Sequence, residues 1–492
     1  MRILTLIGIL VISFNGFNQI SFYKLYSGSG YDKGEGVVQH ADSSYTITGS
    51  SSSWSGNSDV FLLHLDSLGD YKWSRNYGGN ESDIGRRVLF DTTWGYFIAG
   101  YSNSFSENGN FDAYLIRTDN IGNKLWERTY GGDNWEKIND AIITKDSAIL
   151  MVGETQPING QSTEIYIVKT NFSGDTIWTK TFGSSGNDRA NTVINLADSS
   201  FIIGGEMYIA DSNLVKGFIL RMSRFGEIIW QDTVGDLAGE YGVNDVFLGA
   251  NKFYTVGKRK VLATNHDDYF GSFDFNGNLV FQYTLNTPKN TMIDEVAYLP
   301  GINKTVIGTR LIDVQTYQDN YDNILAYCDT YYGYFDGSPG SYCVISNEGL
   351  DKCNQLLPTN DGGYVAIGFN SNTGDNITTS NGGSNIYFAK IFPGVPHPNP
   401  FDAISGNVNF GQLVRIDELK NQTAHFFPNP FSNKIILQNQ ENHRTTYNLI
   451  NQLGYQIQEG EFTNQKELDT TELSIGTYFL KIGTKTFKVV KF

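Results

Sequence analysis

Apolar and polar residues alternate in short runs over most of the chain, and turn residues separate these runs. Residues 112–119 read Asp-Ala-Tyr-Leu-Ile-Arg-Thr-Asp, and residues 96–100 read Tyr-Phe-Ile-Ala-Gly. Short, mainly apolar runs that are bounded by turn residues are typical of β-strands. The pattern therefore predicts an all-β fold.

This strand pattern repeats with a period of about 52 residues, which is typical of propeller blades. Each copy has an apolar, often aromatic, landmark residue, and a glycine follows it at one fixed offset. The landmark and glycine pairs are Tyr26 and Gly49, Tyr77 and Gly100, Tyr130 and Gly153, Phe182 and Gly205, Val234 and Gly257, Leu285 and Gly308, and Ile345 and Gly368. A register that is kept through every copy predicts one structural unit per copy.

Each copy predicts four strands, which in the second copy are residues 86–90, 96–99, 114–117 and 124–129. A four-stranded twisted sheet cannot bury both faces alone, whereas a ring of such sheets can. The sequence therefore predicts a seven-bladed β-propeller over residues 20–393. Aromatic residues of the fourth strands are expected to pack between blades, and they are Trp73, Trp126, Trp178, Trp230 and Phe281.

The last copy ends after residue 391 without a fourth strand. Phe22 lies four residues before Tyr26, where later copies have tryptophan before their landmark. Residues 20–26 are therefore predicted to supply the missing strand and close the ring, which removes open sheet edges. With these landmarks, residues 20–393 resemble secreted bacterial propellers of kelch-like or delta-60-like repeat type, although the full kelch signature is absent. Such a resemblance implies a fold and no particular activity.

The N-terminal residues 1–19 are predicted to be a secretory signal peptide, because Arg2 precedes a short apolar run at residues 3–14. An ordinary buried strand is the alternative. No other stretch is long enough for a transmembrane helix, so no transmembrane segment is predicted. Residues 394–425 are rich in proline and polar residues at their start and lack the repeat landmarks, which predicts a linker.

Residues 426–492 are predicted to form a separate, small Ig-like β-sandwich, since short alternating strands and turn glycines follow one another there. They open with Phe-Pro-Asn-Pro-Phe, continue with Gly-Thr-Tyr-Phe-Leu-Lys and end in a lysine-containing strand. In this order they resemble the type A C-terminal sorting domain of Bacteroidetes type IX secretion cargo. The residues that carry the resemblance are Pro428, Asn429, Pro430, Gly476, Tyr478, Lys481 and Lys491.

The resemblance implies Sec export to the periplasm and then passage across the outer membrane, directed by residues 426–492. The implied partners are the type IX translocon and its sortase, and the implied location is secreted or at the outer cell surface. An adhesion-like C-terminal sandwich is the alternative. The formal net charge of -16 repels phosphate groups, so nucleic acid and anionic membranes are not expected as partners.

Motifs that would carry chemistry are absent from the sequence. The six histidines are scattered, and there is no zinc-protease motif, nucleophile elbow or phosphate-binding loop. Turns such as residues 119–123 lack the further acidic ligands of a calcium loop and are predicted to be hairpin turns. We therefore predict no metal site, no cofactor and no enzymatic activity.

An acidic residue recurs just before the first predicted strand of six copies. These residues are Asp32, Asp83, Glu136, Asp188, Glu240 and Asp351, and the sixth copy has Thr291 instead. Each carboxylate could accept hydrogen bonds from turn amides and stabilise the start of its strand. Alternatively, together they could form a negatively charged channel mouth that binds a cation or a polar glycan.

Loops that follow the fixed glycines are expected to open on the same face. They contain aromatic residues among serine, asparagine and glycine, a composition that suits sugar stacking but is also common in surface loops. These aromatic residues are Trp54, Phe105, Tyr208, Tyr317 and Tyr321.

The sequence favours a secreted or cell-surface, non-catalytic binding or adhesion propeller, with glycan or surface polysaccharide as a candidate ligand. The alternative is a glycan-active hydrolase or lyase that uses the carboxylates at the channel mouth, and a scaffold for partner proteins is a third interpretation. A catalytic acid and base need unlike environments, whereas a repeated acidic position gives each member nearly the same one. That symmetry argues for a binding or structural role.

The exported protein passes through compartments that permit disulfides. Cys328 and Cys343 are predicted to lie opposite each other on the third and fourth strands of the sixth copy, and a bridge between them is expected. A bridge between Cys343 and Cys353 is the alternative. In the first case Cys353 is a buried free thiol.

Overall fold

The computed structural model describes most of the chain between residues 22 and 491. The described residues are 22–28, 30–53, 56–106, 108–157, 160, 162–236, 239–249, 251–262, 265–285, 291–299, 304–311, 328–333, 342–345, 349–372, 384–391, 407–409, 424–427, 433–439, 444–451, 456–474, 476–482 and 485–491. The predicted signal peptide lies outside them. All regular secondary structure in the described residues is β-strand, which confirms the predicted all-β class.

Antiparallel four-stranded sheets, each made of strands that are consecutive in the chain, account for most of the fold. Sheet 1 contains β2 (Asp32–Gln39), β3 (Tyr45–Ser51), β4 (Asp59–Leu65) and β5 (Tyr71–Tyr77). Sheet 2 contains β6 (Asp83–Asp91), β7 (Gly95–Ser102), β8 (Asp112–Thr118) and β9 (Lys124–Tyr130). Sheet 3 contains β10 (Trp135–Ile143), β11 (Ala148–Gln156), β12 (Glu164–Asn171) and β13 (Thr176–Phe182).

The next three sheets repeat this order. Sheet 4 contains β14 (Arg189–Asn195), β15 (Phe201–Ile209), β16 (Leu214–Met222) and β17 (Ile228–Val234). Sheet 5 contains β18 (Glu240–Leu248), β19 (Phe253–Leu262), β20 (Asn265–Phe273) and β21 (Leu279–Leu285). Sheet 6 contains β22 (Thr291–Leu299), β23 (Lys304–Leu311), β24 (Cys328–Gly333) and β25 (Tyr342–Ile345).

One further sheet joins the two ends of the repeat region, and we call it the closing sheet. It contains β26 (Gly349–Pro358), β27 (Tyr364–Asn372), β28 (Ser384–Ile391), β1 (Phe22–Ser27) and β29 (Asn407–Asn409), in this spatial order. Strand β1 pairs antiparallel with β28, so that Phe22 lies opposite Lys390 and Tyr26 opposite Ile386. This pairing confirms the predicted closure by the N-terminal strand. Strand β29, from the segment predicted as a linker, pairs parallel with β1.

The fixed glycine of each copy is explained by a β-bulge in the first strand. In sheet 3 the pairing register of β10 shifts between Ile138 and Asp140, opposite Gly153. A Cβ atom at Gly153 would lie 1.8 Å from the carbonyl oxygen of Lys137. No side chain fits at that distance, and the same close approach recurs at Gly49 and Gly100. The bulge therefore requires glycine, since only glycine lets two backbones come this close.

The sheets pack against one another in order around one axis. The first strand of each sheet contacts the first strand of the next, and β26 contacts β2. Hydrophobic clusters lie between consecutive sheets, including one that joins Val365 and Phe388 of the closing sheet to Ile47 of sheet 1. A closed ring of four-stranded antiparallel sheets is the architecture of a β-propeller.

The tryptophans of the fourth strands connect neighbouring sheets, as predicted, whereas Phe281 packs against Phe270 of its own sheet. Trp73 packs into the core shared by sheets 1 and 2, and Trp126 into the core shared by sheets 2 and 3. The landmark tyrosines add a polar contact, because the hydroxyl of Tyr77 donates to the carbonyl of Gly122 at 2.7 Å. Tyr130 donates in the same way to Gly174 at 2.7 Å.

The chain divides into two compact units, residues 1–413 and residues 414–492. Two antiparallel sheets make up the second unit. One contains β30 (Ala424–Phe427), β31 (Lys434–Asn439) and β34 (Gln465–Asp469), and the other contains β33 (Gln456–Phe462), β32 (Thr445–Asn451), β35 (Gly476–Ile482) and β36 (Lys485–Lys491). Ile435 and Leu437 of the first sheet share one buried core with Leu449 and Leu480 of the second, so this unit is a small β-sandwich.

The register of sheet 6 differs from the one on which the disulfide prediction was based. Cys328 lies opposite Ile345, and Cys343 lies opposite Thr330. The two cysteines are therefore diagonal neighbours, and such positions have Cα atoms about 7–8 Å apart, beyond the usual span of a disulfide. Their side chains lie outside the described residues. Cys353 is buried and its thiol is free.

Candidate functional site

The acidic residue at the start of the first strand is buried in sheets 1 and 2 and hydrogen-bonded by neighbouring turns. Asp83 accepts hydrogen bonds from the amide of Gly79 at 2.8 Å and from the hydroxyl of Ser104 at 2.7 Å, and also from the hydroxyl of Ser102. Asp32 has equivalent donors, which are Gly28, Ser51 and Ser53. Burial raises the pKa of both carboxyl groups, and these hydrogen bonds oppose the rise.

Asp188 of sheet 4 is also fully buried. It accepts hydrogen bonds from the hydroxyl of Ser184 at 2.9 Å and from the amide of Tyr208 at 2.7 Å. Tyr208, which was expected in a loop, lies on β15 and contributes its backbone amide to this carboxylate, while its hydroxyl donates to Asn213 at 2.8 Å.

The remaining acidic positions differ from this pattern. Glu240 of sheet 5 is half-buried and forms an ion pair with Lys260 at 2.5 Å. Asp351 lies on β26, and its side chain is outside the described residues. The contacts of Asp32, Asp83 and Asp188 are those expected when a carboxylate stabilises the start of a strand.

In sheets 2, 3 and 4 a second acidic side chain approaches the acidic position from the preceding sheet. It comes from the start of the third strand, as Asp59 in sheet 1, Asp112 in sheet 2 and Glu164 in sheet 3. The glycine after the landmark residue lies between the two groups. A Cβ at Gly131 would lie 2.4 Å from Oδ1 of Asp112 and 2.5 Å from Oε2 of Glu136. A side chain at this position would displace both carboxylates from their present places.

The pair formed by Asp112 and Glu136 stands out for its missing hydrogen bonds. Asp112 is 8% exposed and Glu136 is 4% exposed. Glu136 accepts a hydrogen bond from Thr155 at 2.8 Å, and the nearby backbone amide of Gly132 acts to lower its pKa. Oδ1 of Asp112 and Oε2 of Glu136 have no hydrogen-bond partner among the described residues. Burial raises the pKa of Asp112 to about 6, and burial together with the charge of Asp112 raises the pKa of Glu136.

Between sheets 4 and 5 a lysine replaces the second carboxylate. Lys216 lies at the corresponding place on β16. Its ammonium group donates to the backbone carbonyl of Asp236 at 2.8 Å and to that of Gly239. The negative charge of Glu240 also acts on this ammonium group. A positive charge thus occupies the junction whose counterpart between sheets 2 and 3 holds two carboxylates.

An aromatic patch lies beside the Asp112 and Glu136 pair. The ring of Phe111 packs edge-on against Trp135, with ring centroids 5.7 Å apart, and against Tyr101 at 5.3 Å. The ammonium of Lys137 lies 5.2 Å from the centroid of Trp135 and within 6 Å of the other two rings. Trp135 is 38% exposed, and its indole N–H donates to Oδ1 of Asn110 at 2.7 Å. We call Tyr101, Phe111, Trp135 and Lys137 the aromatic patch.

The loop aromatics predicted from the sequence are placed as follows. Phe105 is exposed and its ring lies 5.5 Å from that of Tyr114. Tyr208 is half-buried on β15. Trp54, Tyr317 and Tyr321 lie outside the described residues. The sequence reasoning missed Trp135, which directly precedes Glu136 at the acidic position, and it missed the second column of polar residues at the starts of the third strands.

In the C-terminal unit, the residues of the sorting motif have mainly structural contacts. The hydroxyl of Tyr478 donates to the carbonyl of Ser474 at 2.7 Å. Lys491 is buried, and its ammonium donates to the carbonyls of Thr470 and Thr471. Lys481 on β35 is exposed, and Gly476 is the first residue of β35. Residues 428–430 lie outside the described residues.

No group of three or more histidine, cysteine, aspartate or glutamate side chains is arranged for a metal ion within the described ranges. In the same ranges, no helix has the length and apolar character needed to cross a membrane.

Comparison with known proteins identifies the C-terminal unit. Residues 425–492 match the family described as secretion system C-terminal sorting domain. No curated protein matches the chain. Proteins with this domain are exported by the type IX secretion system to the cell surface or the extracellular space, and this location holds for the present chain. The predicted sorting domain and location are confirmed.

Solved structures that resemble the chain are propeller domains of low sequence identity. The WD40 domain of Neurospora crassa Pan2 is 11% identical, with a TM-score of 0.45, over 74% of this chain and 89% of that one. The WD40 β-propeller domain of Doa1 is 10% identical, with a TM-score of 0.42, over 74% and 96%. Sqt1 from Chaetomium thermophilum is 11% identical, with a TM-score of 0.42, over 84% and 97%.

Proposed function

We propose that this protein is a non-catalytic binding or adhesion protein, and that its propeller binds a glycan or surface polysaccharide at the aromatic patch. Export by the type IX system delivers the chain to a place where such ligands are found. The carrying observation is the exposed ring of Trp135, whose orientation is set by the hydrogen bond to Asn110. A ring that is held in place before the ligand arrives loses little conformational freedom on binding.

The composition of the patch fits a sugar better than an apolar ligand. Exposed aromatic rings stack on the C–H faces of sugars, and adjacent polar groups bind the hydroxyls. Asn108 and Asp133 provide such groups, and Nδ2 of Asn108 donates to Oδ1 of Asp133 at 2.9 Å. Lys137 adds a positive charge beside the rings, which suits an acidic polysaccharide.

We propose a seven-bladed ring of kelch-like or delta-60-like repeat type as the scaffold. The unbroken succession of first strands around one axis and the closing pairing of β1 with β28 support this blade count. For the whole chain we propose a signal peptide at 1–19, the propeller at 20–393, a linker at 394–425 and an Ig-like sorting domain at 426–492. The separate core of the two C-terminal sheets supports the last boundary.

Removal of the Trp135 ring tests the binding function. We expect Trp135→Ala to lose binding on a glycan array at least tenfold, since stacked aromatic residues in binding sites contribute about 2 kcal/mol or more. The measurement uses full-length protein purified after export. It compares the strongest array hits of the wild-type protein with those of the variant.

Trp94 offers a matched control. It is 39% exposed, and it lies in the turn between β6 and β7, at the opposite end of the sheets from Trp135. Trp94→Ala should bind glycans like the wild-type protein. Equal losses in both variants, or a wild-type protein that binds no glycan on the array, would rule out a glycan site at the patch.

A glycan-active hydrolase or lyase is the second candidate, and the facing carboxylates of Asp112 and Glu136 favour it. A carboxyl group with a pKa near 6 can act as a general acid. Against this function, both side chains are more than nine-tenths buried, so a sugar ring does not reach them. Release of new reducing ends or unsaturated products from the bound glycan by wild-type protein, but not by Asp112→Asn, would establish the enzyme.

A further inference from the structure

The junction between sheets 2 and 3 holds two buried carboxylates that face each other without a shared donor. Oδ1 of Asp112 and Oε2 of Glu136 flank the backbone of Gly131, and neither oxygen has a hydrogen-bond partner among the described residues. Burying an unpaired carboxylate is costly, and two of them at one place repel each other. A cation between the two carboxylates, or a proton on one of them, removes this repulsion.

We propose that Asp112 and Glu136 bind a calcium ion between the two sheets. Each oxygen would lie within 2.5 Å of a Cβ at Gly131, which keeps the two oxygens less than about 5 Å apart, and calcium bonds to oxygen are about 2.3–2.6 Å long. One ion can therefore bridge both oxygens. The proposal does not depend on the glycan site.

The corresponding junction between sheets 4 and 5 supports a cation at this place. Lys216 occupies the position of Asp112, and its ammonium group lies among backbone carbonyl oxygens near Glu240. The chain thus provides its own positive charge where the carboxylate is missing. Between sheets 2 and 3 the third strand carries Asp112 in place of a lysine, and a bound ion would supply the positive charge there.

The neighbouring junction between sheets 1 and 2 is less suited to an ion. There Asp83 accepts three hydrogen bonds, from Gly79, Ser102 and Ser104. Glu136 accepts a hydrogen bond from Thr155 and is also approached by the backbone amide of Gly132, but it lacks the third donor because Pro157 stands where sheet 2 has Ser104. Asp83 uses its carboxylate lone pairs to accept its three hydrogen bonds. On Glu136, Oε2 remains available to bind an ion.

The donor set selects the kind of ion. Both side chains present oxygen, and no histidine or cysteine joins them in the described part of the junction. Oxygen donors of uneven geometry suit calcium, whereas magnesium demands a near-ideal octahedron and zinc prefers nitrogen or sulfur. Two carboxylates and an outside location match calcium sites of extracellular modules, whose dissociation constants are about 10⁻⁴–10⁻³ M.

Calcium titration of the full-length exported protein tests the proposal. Isothermal titration calorimetry after chelation should show one ion per chain in that affinity range. Terbium is a second probe, since Tyr166 lies near both carboxylates and can sensitise its emission, which calcium should then quench by competition. Asp112→Asn and Glu136→Gln should each weaken both signals at least tenfold, and Asp211→Asn, an exposed carboxylate elsewhere, should leave them unchanged.

Asp112→Lys reproduces the junction of sheets 4 and 5. This variant should bind neither ion, and in chelator it should unfold at a higher temperature than Asp112→Asn. The proposal is wrong if the wild-type protein shows no saturable calcium or terbium binding. It is also wrong if Asp112→Asn and Glu136→Gln both bind like the wild-type protein, because the ion then lies elsewhere.

Discussion

Two half-buried histidines form a polar cluster between sheets 1 and 2, at the end of the sheets away from the carboxylates. Nε2 of His40 lies 2.8 Å from the hydroxyl of Thr46 and 3.2 Å from that of Tyr96. Nδ1 of His64 lies 2.9 Å from the same threonine hydroxyl. The ring of His64 also stacks on Trp73, with centroids 5.0 Å apart. The cluster has hydroxyl partners for neutral imidazoles but little room for two positive charges.

Burial, with a smaller effect of His64, lowers the pKa of His40 to about 4, and Asp42 opposes this shift weakly. The unfolded state therefore binds more protons than the folded state between about pH 6.5 and pH 4. Stability contributed by neutral His40 is present above this window and is lost as the pH falls through it. Between these pH values the free energy of unfolding should therefore fall by about 1–3 kcal/mol less in His40→Gln than in the wild-type protein.

Urea unfolding at pH 7.5, 6 and 5 measures the effect. The wild-type midpoint should fall more steeply with acid than the midpoint of His40→Gln, since the variant has no imidazole to protonate at this place. Groups outside the cluster contribute equally to both proteins, whereas His64, whose pKa burial also lowers, loses a titrating neighbour in the variant. Parallel decreases in the two proteins would show that His40 stays neutral or pairs its charge on protonation.

At the scale of the strand, the bulge and its glycine are the repeated device of the propeller. The bulge places two residues of the first strand opposite one residue of the second. The glycine makes room for the first-strand carbonyl, as at Gly153 against Lys137. Because this contact is between backbones, no change of rotamer can relieve a substitution there.

Gly153→Ala should therefore destabilise the propeller by about 2–4 kcal/mol, through displacement of β10 from β11. Gly132→Ala is the matched control, because a Cβ at Gly132 meets nothing within 4 Å. Guanidinium unfolding followed by tryptophan fluorescence compares the two variants with the wild-type protein. Similar midpoints for both variants would mean that the backbone at Gly153 can move aside at little cost.

The strands were predictable because each carries its own signal, while their exact pairing was not. Alternating runs, fixed glycines and the missing last strand predicted the sheets and the role of β1. A bulge leaves the amino-acid composition of a strand unchanged, so the hydrophobic pattern could not reveal the bulges of the first strands. The register of β24 with β25 depends on a long hairpin insertion, and a slip of two residues separates Cys328 from its predicted partner.

The candidate site shows the same limit. The repeated acidic position at the start of the first strands, which includes Asp83 and Glu136, was visible in the sequence. The polar residues at the starts of the third strands were also visible in the sequence, and they are Asp59, Asp112, Glu164 and Lys216. Their approach to the acidic residues was not, because only folding brings the third strand of one sheet to the first strand of the next. Contacts between units of a repeat cannot be read from a single unit.

At the scale of the whole molecule, export belongs to the C-terminal unit and the proposed binding function belongs to the propeller. The sorting domain has its own buried core, which includes Leu449 and Leu480, and the hydrophobic clusters described in the propeller consist of residues upstream of it. A propeller without the sorting domain should therefore still fold. What it should lose is the signal that the secretion system recognises.

Deletion of residues 426–492 should therefore leave a folded propeller in the periplasm. Type IX export depends on the sorting domain, which the match at residues 425–492 identifies, whereas the propeller core that includes Val365 and Phe388 is complete without it. Immunoblots of periplasm, cell surface and medium would locate the truncated chain, and limited proteolysis would show whether it is folded. Full-length Trp135→Ala is the control, because it alters the propeller surface and keeps the sorting domain, so it should leave the cell normally. Surface delivery of the truncated chain at the wild-type level would place the export signal upstream of residue 426.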